Sequence, residues 1–146
     1  YGKIIDTNEA CPTLTFNKIG RHQSKLVRTR VCSALSPWLA ATQVDEVYTV
    51  PISHGEGRFL AAPELVAQLA ARGQIATQYV DLEGMPTMDA AFNPNGSVCA
   101  IEGITSPDGR VLGKMGHSER IGPKLYRNVP ERCDMQLFTS AVRYFK

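Results

Sequence analysis

The sequence predicts one domain of mixed strands and helices, and three features of its pattern carry that reading. β-rich segments at 26–32, 47–53 and 74–80 are interspersed with segments at 63–72 and 134–145 whose apolar residues follow helical spacing. A tight-turn signal, Ser106-Pro107-Asp108-Gly109, separates two further strand-like segments. No repeat or low-complexity tract interrupts the 146 residues, and 43% of them are hydrophobic, enough for a folded core. Elements of these lengths fit an α/β or α+β domain better than a bundle or a sandwich, and the pattern alone leaves the choice between those two open.

The elements follow in order along the chain. Residues 26–32 alternate apolar and basic side chains, as a strand with one buried face does, and Ser36-Pro37 ends it. Residues 47–53 are rich in β-formers and run straight into His54, so a strand delivers that histidine to a sheet edge. Over 63–72, Leu65, Val66, Leu69 and Ala70 recur at helical spacing, with Pro63 suited to the first turn and Gly73 to the C-terminal stop. Residues 74–80 read as another strand, and Asn93-Pro94-Asn95-Gly96 marks a turn. The segments 98–104 and 110–115 flank the Ser106–Gly109 turn as a hairpin. A closing helix over 134–145 places Met135, Leu137, Phe138, Ala141, Val142 and Phe145 on an apolar face, with Asp134 near its positive N-terminus.

Composition narrows the function. With 16 basic against 14 acidic residues, the chain has no electrostatic footprint for a phosphate backbone, so nucleic acid is not expected as a partner. The most apolar stretch, 59–71, is broken by Pro63, Glu64 and Gln68 and falls short of the ~20 residues a membrane span needs. Cys11, Cys32, Cys99 and Cys133 are far apart, with no Cys-x-x-Cys pair, which points to reduced thiols and a cytoplasmic protein. Of these, Cys32 and Cys99 read as strand-borne core thiols, and Cys11 and Cys133 as loop residues. The start, Tyr1-Gly2-Lys3-Ile4-Ile5-Asp6, has neither an initiator Met nor a signal peptide and reads as a cut from something longer.

Two segments could carry chemistry: PISHGEGRF at 51–59 and GKMGHSER at 113–120. Each holds His-x-Glu, and in extended backbone residues two apart project to one side, pairing an imidazole with a carboxylate. Such a pair is half of a nucleophilic machine, the base and its orienting partner. The nucleophile is the missing half, since no cysteine or serine sits in a glycine-framed elbow. Two alternatives stand beside this reading. The four side chains could ligate a metal, although the spacing does not select one. Glycine-rich turns with exposed polar residues would also suit a non-catalytic interaction domain.

Together with QYVD at 78–81, NPNGS at 93–97 and IEGITSPDGR at 101–110, these phrases resemble, in order and spacing, the phosphoribosylformylglycinamidine synthases of purine biosynthesis. The glutaminase domain of that family is a class I amidotransferase with a Cys-His-Glu triad. The resemblance is legible from 36 to 120 and looser toward both ends. It implies that His117 is the general base and Glu119 its orienting partner, because the family's PHPER phrase is GHSER here, with Gly116 and Ser118 replacing the commoner prolines. His54, Glu56 and Arg58 would shape a loop near the glutaminase site without joining the triad. An Arg-Phe-Glu-x-Arg phrase often seen upstream is not legible around 21–30.

The resemblance further implies an open, mostly parallel α/β sheet with helices on both faces. The family's cysteine elbow lies upstream of the region matching residue 1. Residues 1–146 are thus expected to be the N-terminally truncated, C-terminal portion of a glutamine amidotransferase domain, with no nucleophile of its own and inactive alone. Ammonia released from glutamine would serve an ATP-dependent amidation of formylglycinamide ribonucleotide. No cofactor or metal is expected in this portion, since ATP and Mg2+ would act in the synthetase part. The expected partners are glutamine, the synthetase domain or subunit and, through an exposed sheet edge, a second copy of the chain.

Overall fold

A computed structural model describes residues 11–146, so the opening segment Tyr1-Gly2-Lys3-Ile4-Ile5-Asp6 lies outside the described residues. Strand β1 is Thr13–Phe16, β2 Gln23–Val31, β3 Val47–His54 and β4 Glu56–Leu60; helix α1 is Pro63–Ala71. Strands β5, β6 and β7 are Ile75–Tyr79, Ile101–Thr105 and Leu112–Lys114, and helix α2 is Leu137–Phe145. Short 3-10 turns occupy Pro37–Leu39 and Val98–Ala100.

The main sheet has the order β3-β2-β5-β6-β7, and β1 pairs with β4 in a separate two-stranded ribbon. Among the described residues every strand pairing is antiparallel, which corrects the expected mostly parallel sheet. The reason lies in the connections. Parallel neighbours need a long crossover, usually a helix, whereas β6 and β7 are joined through the tight turn at Ser106–Gly109. α1 leads from the ribbon strand β4 into β5 and so links two different sheets.

The expectation of helices on both faces is met. Ile75 joins Phe59, Leu69 and Ile101 in one apolar cluster, against which Leu65 and Val66 of α1 pack. Its neighbour Ala76 joins Val31, Val50, Tyr79 and Leu137 of α2 in the other. At the end of β2 the neighbours Val31 and Cys32 divide in the same way, Val31 joining the cluster of α2 and Cys32 packing against that of α1, so the two helices serve opposite faces.

Three local expectations need correction. Residues 98–100 are not strand: Cys99 and Ala100 both have positive φ, 49° and 56°, and Cys99 is exposed, so it is no core thiol. The turn before it explains this, because Asn93, Asn95 and Ser97 are buried and hydrogen-bond one another, bringing the chain onto β6 at an angle no strand could hold. The closing helix begins at Leu137, with Asp134 Oδ1 accepting from the Gln136 N–H at 2.7 Å ahead of it. Its apolar face is only half used: Leu137 and Ala141 are buried, while Phe138, Val142 and Phe145 are more than half exposed.

Candidate active site

β7 ends at Lys114, and the next residues cross beneath the end of β3. The Met115 N–H donates to the Glu102 carbonyl at 3.1 Å, continuing the β6–β7 ladder by one bond. The His117 N–H then donates to the Pro51 carbonyl at 2.8 Å, anchoring the loop on β3. Pro51 stands on the outer edge of the sheet, where its lack of an N–H breaks no ladder bond and its carbonyl is left for the loop.

In this loop His117 Nδ1 lies 2.7 Å from Glu119 Oε1, and the two meet across a turn closed by the Arg120 N–H on the His117 carbonyl at 3.1 Å, not along the extended backbone that the motif reading assumed. With Nδ1 engaged, Nε2 is the ring atom left for proton transfer. Burial opposes ionisation of Glu119, but a backbone hydrogen bond, the bond and charge of His117, and Arg120 together hold its pKa below the ordinary carboxylate value. His117 and Glu119 open onto a cleft of about 400 Å³ whose other walls include Trp38, Leu112, Lys114 and Phe138. No cysteine lines that cleft. Ser118 lines it too, but its hydroxyl is turned to Met135 Sδ at 3.5 Å and is buried.

Beneath the loop lies a pair that the motif search missed. Glu102 is fully buried at its side chain, and its Oε1 sits 3.1 Å from the nearly buried Lys114 Nζ. The same Oε1 accepts the Gly116 N–H at 2.5 Å, and Oε2 accepts the Thr77 hydroxyl. Burial pushes the Glu102 pKa up, yet Lys114, Thr77 and Gly116 outweigh it and leave the carboxyl ionised below its ordinary value. The signal present in the sequence was a carboxylate inside the apolar run 98–104, with a lysine in the strand-like segment 110–115 that follows the turn.

His54, Glu56 and Arg58 lie where β3 passes into β4. β2 and β1, and likewise β3 and β4, are continuous lengths of chain that bend from the main sheet into the ribbon at 17–21 and at Gly55. Asn17, buried at that bend, donates to the His54 carbonyl at 2.7 Å and the Arg21 carbonyl at 3.0 Å, and its Oδ1 lies 3.0 Å from His54 Nδ1. Burial lowers the His54 pKa below its ordinary value, and the nearby rings of His22 and His117 add to the shift. Arg58 Nε donates to the Gly96 carbonyl at 3.2 Å, Asn95 Nδ2 to the Gly57 carbonyl at 2.6 Å, and the Phe59 N–H to Ser97 Oγ at 3.0 Å. The phrases HGEGRF and NPNGS are therefore one interlocked unit. Glu56 is exposed on β4.

Among the described residues, no three His, Cys, Asp or Glu side chains gather to hold a metal ion. No helix among them is long and apolar enough to cross a membrane.

Comparison with known proteins bears on the whole arrangement. The family model described as CobB/CobQ-like glutamine amidotransferase domain matches residues 1–145. The chain is 42% identical over 94 residues to the phosphoribosylformylglycinamidine synthase subunit PurQ of Thermomicrobium roseum, covering 64% of this chain and 39% of that protein. To the subunit of the same name from Salinibacter ruber it is 39% identical over 108 residues, covering 74% and 45%. A chain in the solved structure of PurLQS from Thermotoga maritima superposes with a TM-score of 0.69 at 25% identity, over 93% of this chain and 54% of that one. The chain spans less than half the length of these curated relatives.

Proposed function

The chain belongs to the CobB/CobQ-like glutamine amidotransferase family, and we propose that it carries the base half of the glutaminase site in the ammonia-producing component of a phosphoribosylformylglycinamidine synthase. The relatives named above support the assignment, and one observation carries the mechanism: the 2.7 Å contact between His117 and Glu119 at the mouth of a cleft. Glu119 holds the Nδ1–H tautomer, so that Nε2 accepts the proton of an attacking thiol. The thiolate adds to the glutamine carboxamide, the protonated ring returns its proton to the departing ammonia, and water then hydrolyses the thioester to glutamate. Backbone N–H groups would stabilise the tetrahedral oxyanion.

No cysteine lines the cleft onto which His117 and Glu119 open. Cys32 is half-buried, with its pKa raised first by burial, and Cys133 is shifted the same way for the same reason. We assign the nucleophile to a cysteine elbow in another part of the domain, of which residues 1–146 are the C-terminal portion. ATP and Mg2+ belong in the same way to a synthetase domain or subunit, the partner that takes up the ammonia. Residues 1–146 contain no glycine-rich phosphate loop.

The test is glutamine hydrolysis by the full-length protein together with its synthetase partner. His117→Ala is expected to lower kcat by on the order of 10²–10⁴-fold, and Glu119→Gln to lower kcat more than it changes KM. A His117→Ala protein that hydrolyses glutamine at the parent rate sinks the assignment.

A further inference from the structure

A buried ion pair stands under the loop that carries His117, and nothing in the glutaminase chemistry uses it. Lys114 of β7 stands opposite Gly103 of β6 and reaches the neighbouring Glu102 with its side chain, and the two side chains are 8% and 0% exposed. Such a pair gives up two hydration shells, and a well-packed apolar pair in its place is often as stable or more so. Stability alone therefore does not account for it. Its hydrogen bonds point to another role, because nearly all of them end on the two residues that flank His117. Glu102 Oε1 accepts the Gly116 N–H at 2.5 Å, while Lys114 Nζ donates to the Gly116 carbonyl at 3.1 Å and to Ser118 Oγ at 3.3 Å.

We propose that Glu102 and Lys114 are positioning residues for His117, clamping the backbone of residue 116 from both ends and the side chain of residue 118 from below. This rests on His117 acting as the base. Two further observations fit it. A Cβ on Gly116 would lie 2.5 Å from Val50 Cγ2, 2.9 Å from Glu102 Oε1 and 3.0 Å from Lys114 Nζ, so the clamp closes only on glycine. Thr77 holds the second carboxylate oxygen of Glu102, which fixes the direction of the first. A proline at 116 would have no N–H to give, and its ring would enter space that the pair fills. Here the ion pair restrains a backbone that glycine leaves free.

The experiment replaces the pair by an apolar one, Glu102→Leu with Lys114→Met, in the full-length protein, which leaves no unpaired charge behind. Two readouts follow: the ring ¹⁵N shifts of His117 in histidine-labelled protein, which report the tautomer, and kcat and KM for glutamine hydrolysis. The parent is expected to hold a single Nδ1–H tautomer. The folded double variant should mix tautomers and lose about 10- to 100-fold in kcat with KM within about twofold, the scale of a misplaced catalytic group. Glu102→Gln, which still offers an oxygen to Gly116, should retain the single tautomer. A folded double variant with the parent's tautomer and kcat overturns the proposal. If the double variant does not fold, Ser118→Ala decides: tautomer mixing with reduced kcat supports the clamp, and the parent's values refute it. If the unsubstituted protein hydrolyses no glutamine, the proposed function fails, while the ring shifts still decide the positioning claim.

Discussion

Gly57→Ala isolates the role of the HGEGRF phrase. A Cβ at position 57 would lie 2.4 Å from His54 Nδ1 and 2.5 Å from Cε1, so the ring must retreat by roughly 1 Å to reach ordinary carbon contact distance. That movement breaks the 3.0 Å contact between Nδ1 and Asn17 Oδ1 in the buried bend. Stranding the Asn17 oxygen costs about 1–3 kcal/mol, and crowding a packed site costs about 1–3 kcal/mol more. Against this, alanine lowers the entropy of the unfolded chain, a gain of about 0.4–1 kcal/mol. The balance is a loss of roughly 3 kcal/mol, or about 10 °C in Tm for a chain of this size.

Gly55→Ala is the control. Nothing lies within 4 Å of its added carbon, and its Tm should be unchanged or slightly higher. In a His54→Ala background the clash partner is gone, so the Gly57→Ala increment should shrink to within about 0.5 kcal/mol of zero. Thermal unfolding of the four proteins of that cycle measures all of this. If Gly57→Ala melts within about 2 °C of the parent, or costs as much without His54 as with it, the ring does not brace the bend and the reasoning fails.

Two further outcomes are expected. Acid should weaken the fold in two stages that chemical denaturation at stepped pH can resolve. The folded pKa of His54 lies below its unfolded value of about 6.5, so the unfolded chain binds the extra proton first and stability falls as pH drops through that value. The folded pKa of Glu102 lies below its unfolded value of about 4.3, so its contribution is complete above that pH and is lost below it. His54→Asn should remove the first stage alone, and its persistence would count against the assignment. Alkylation followed by mass spectrometry should modify the exposed Cys99 before Cys32, whose half-buried thiol is harder to ionise; the reverse order would contradict the turn at 98–100.

What the sequence makes legible depends on how local the physics is. The α1 boundaries, Pro63 to the turn at Gly73, rest on caps and spacing within one segment, and the structure places the helix there. The 106–109 turn and the 2.7 Å pairing of His117 with Glu119 are likewise set by neighbours two to five residues apart. Strand direction is not local, because it depends on which segments pair, and a family resemblance stood in for that information. The β1–β4 ribbon went unread because β4 is the glycine-bearing phrase itself, and its partner Thr13–Phe16 exposes Leu14 and Phe16 without a buried stripe. Glu102 was hidden by its surroundings, since a carboxylate in an apolar run declares its role only once Lys114 is known to reach it.

The expected pairing of a second chain along an exposed sheet edge can be weighed in the same terms. β3 is one outer strand of the main sheet, and its free side is already occupied. The Pro51 carbonyl takes the His117 N–H, and two residues earlier the Thr49 N–H donates to the Arg132 carbonyl at 2.8 Å. The Arg132 guanidinium also reaches Glu46 at 2.6 Å, tying the returning chain to the start of β3. A strand added along β3 would have to remove the bond that anchors His117. Pairing there and a formed His117 loop exclude one another, so the loop carrying the candidate base also guards the edge on which it is built. Among the described residues, that leaves β7 as the sheet's other outer strand, three residues long with Gly113 at its centre, too short for a lasting ladder.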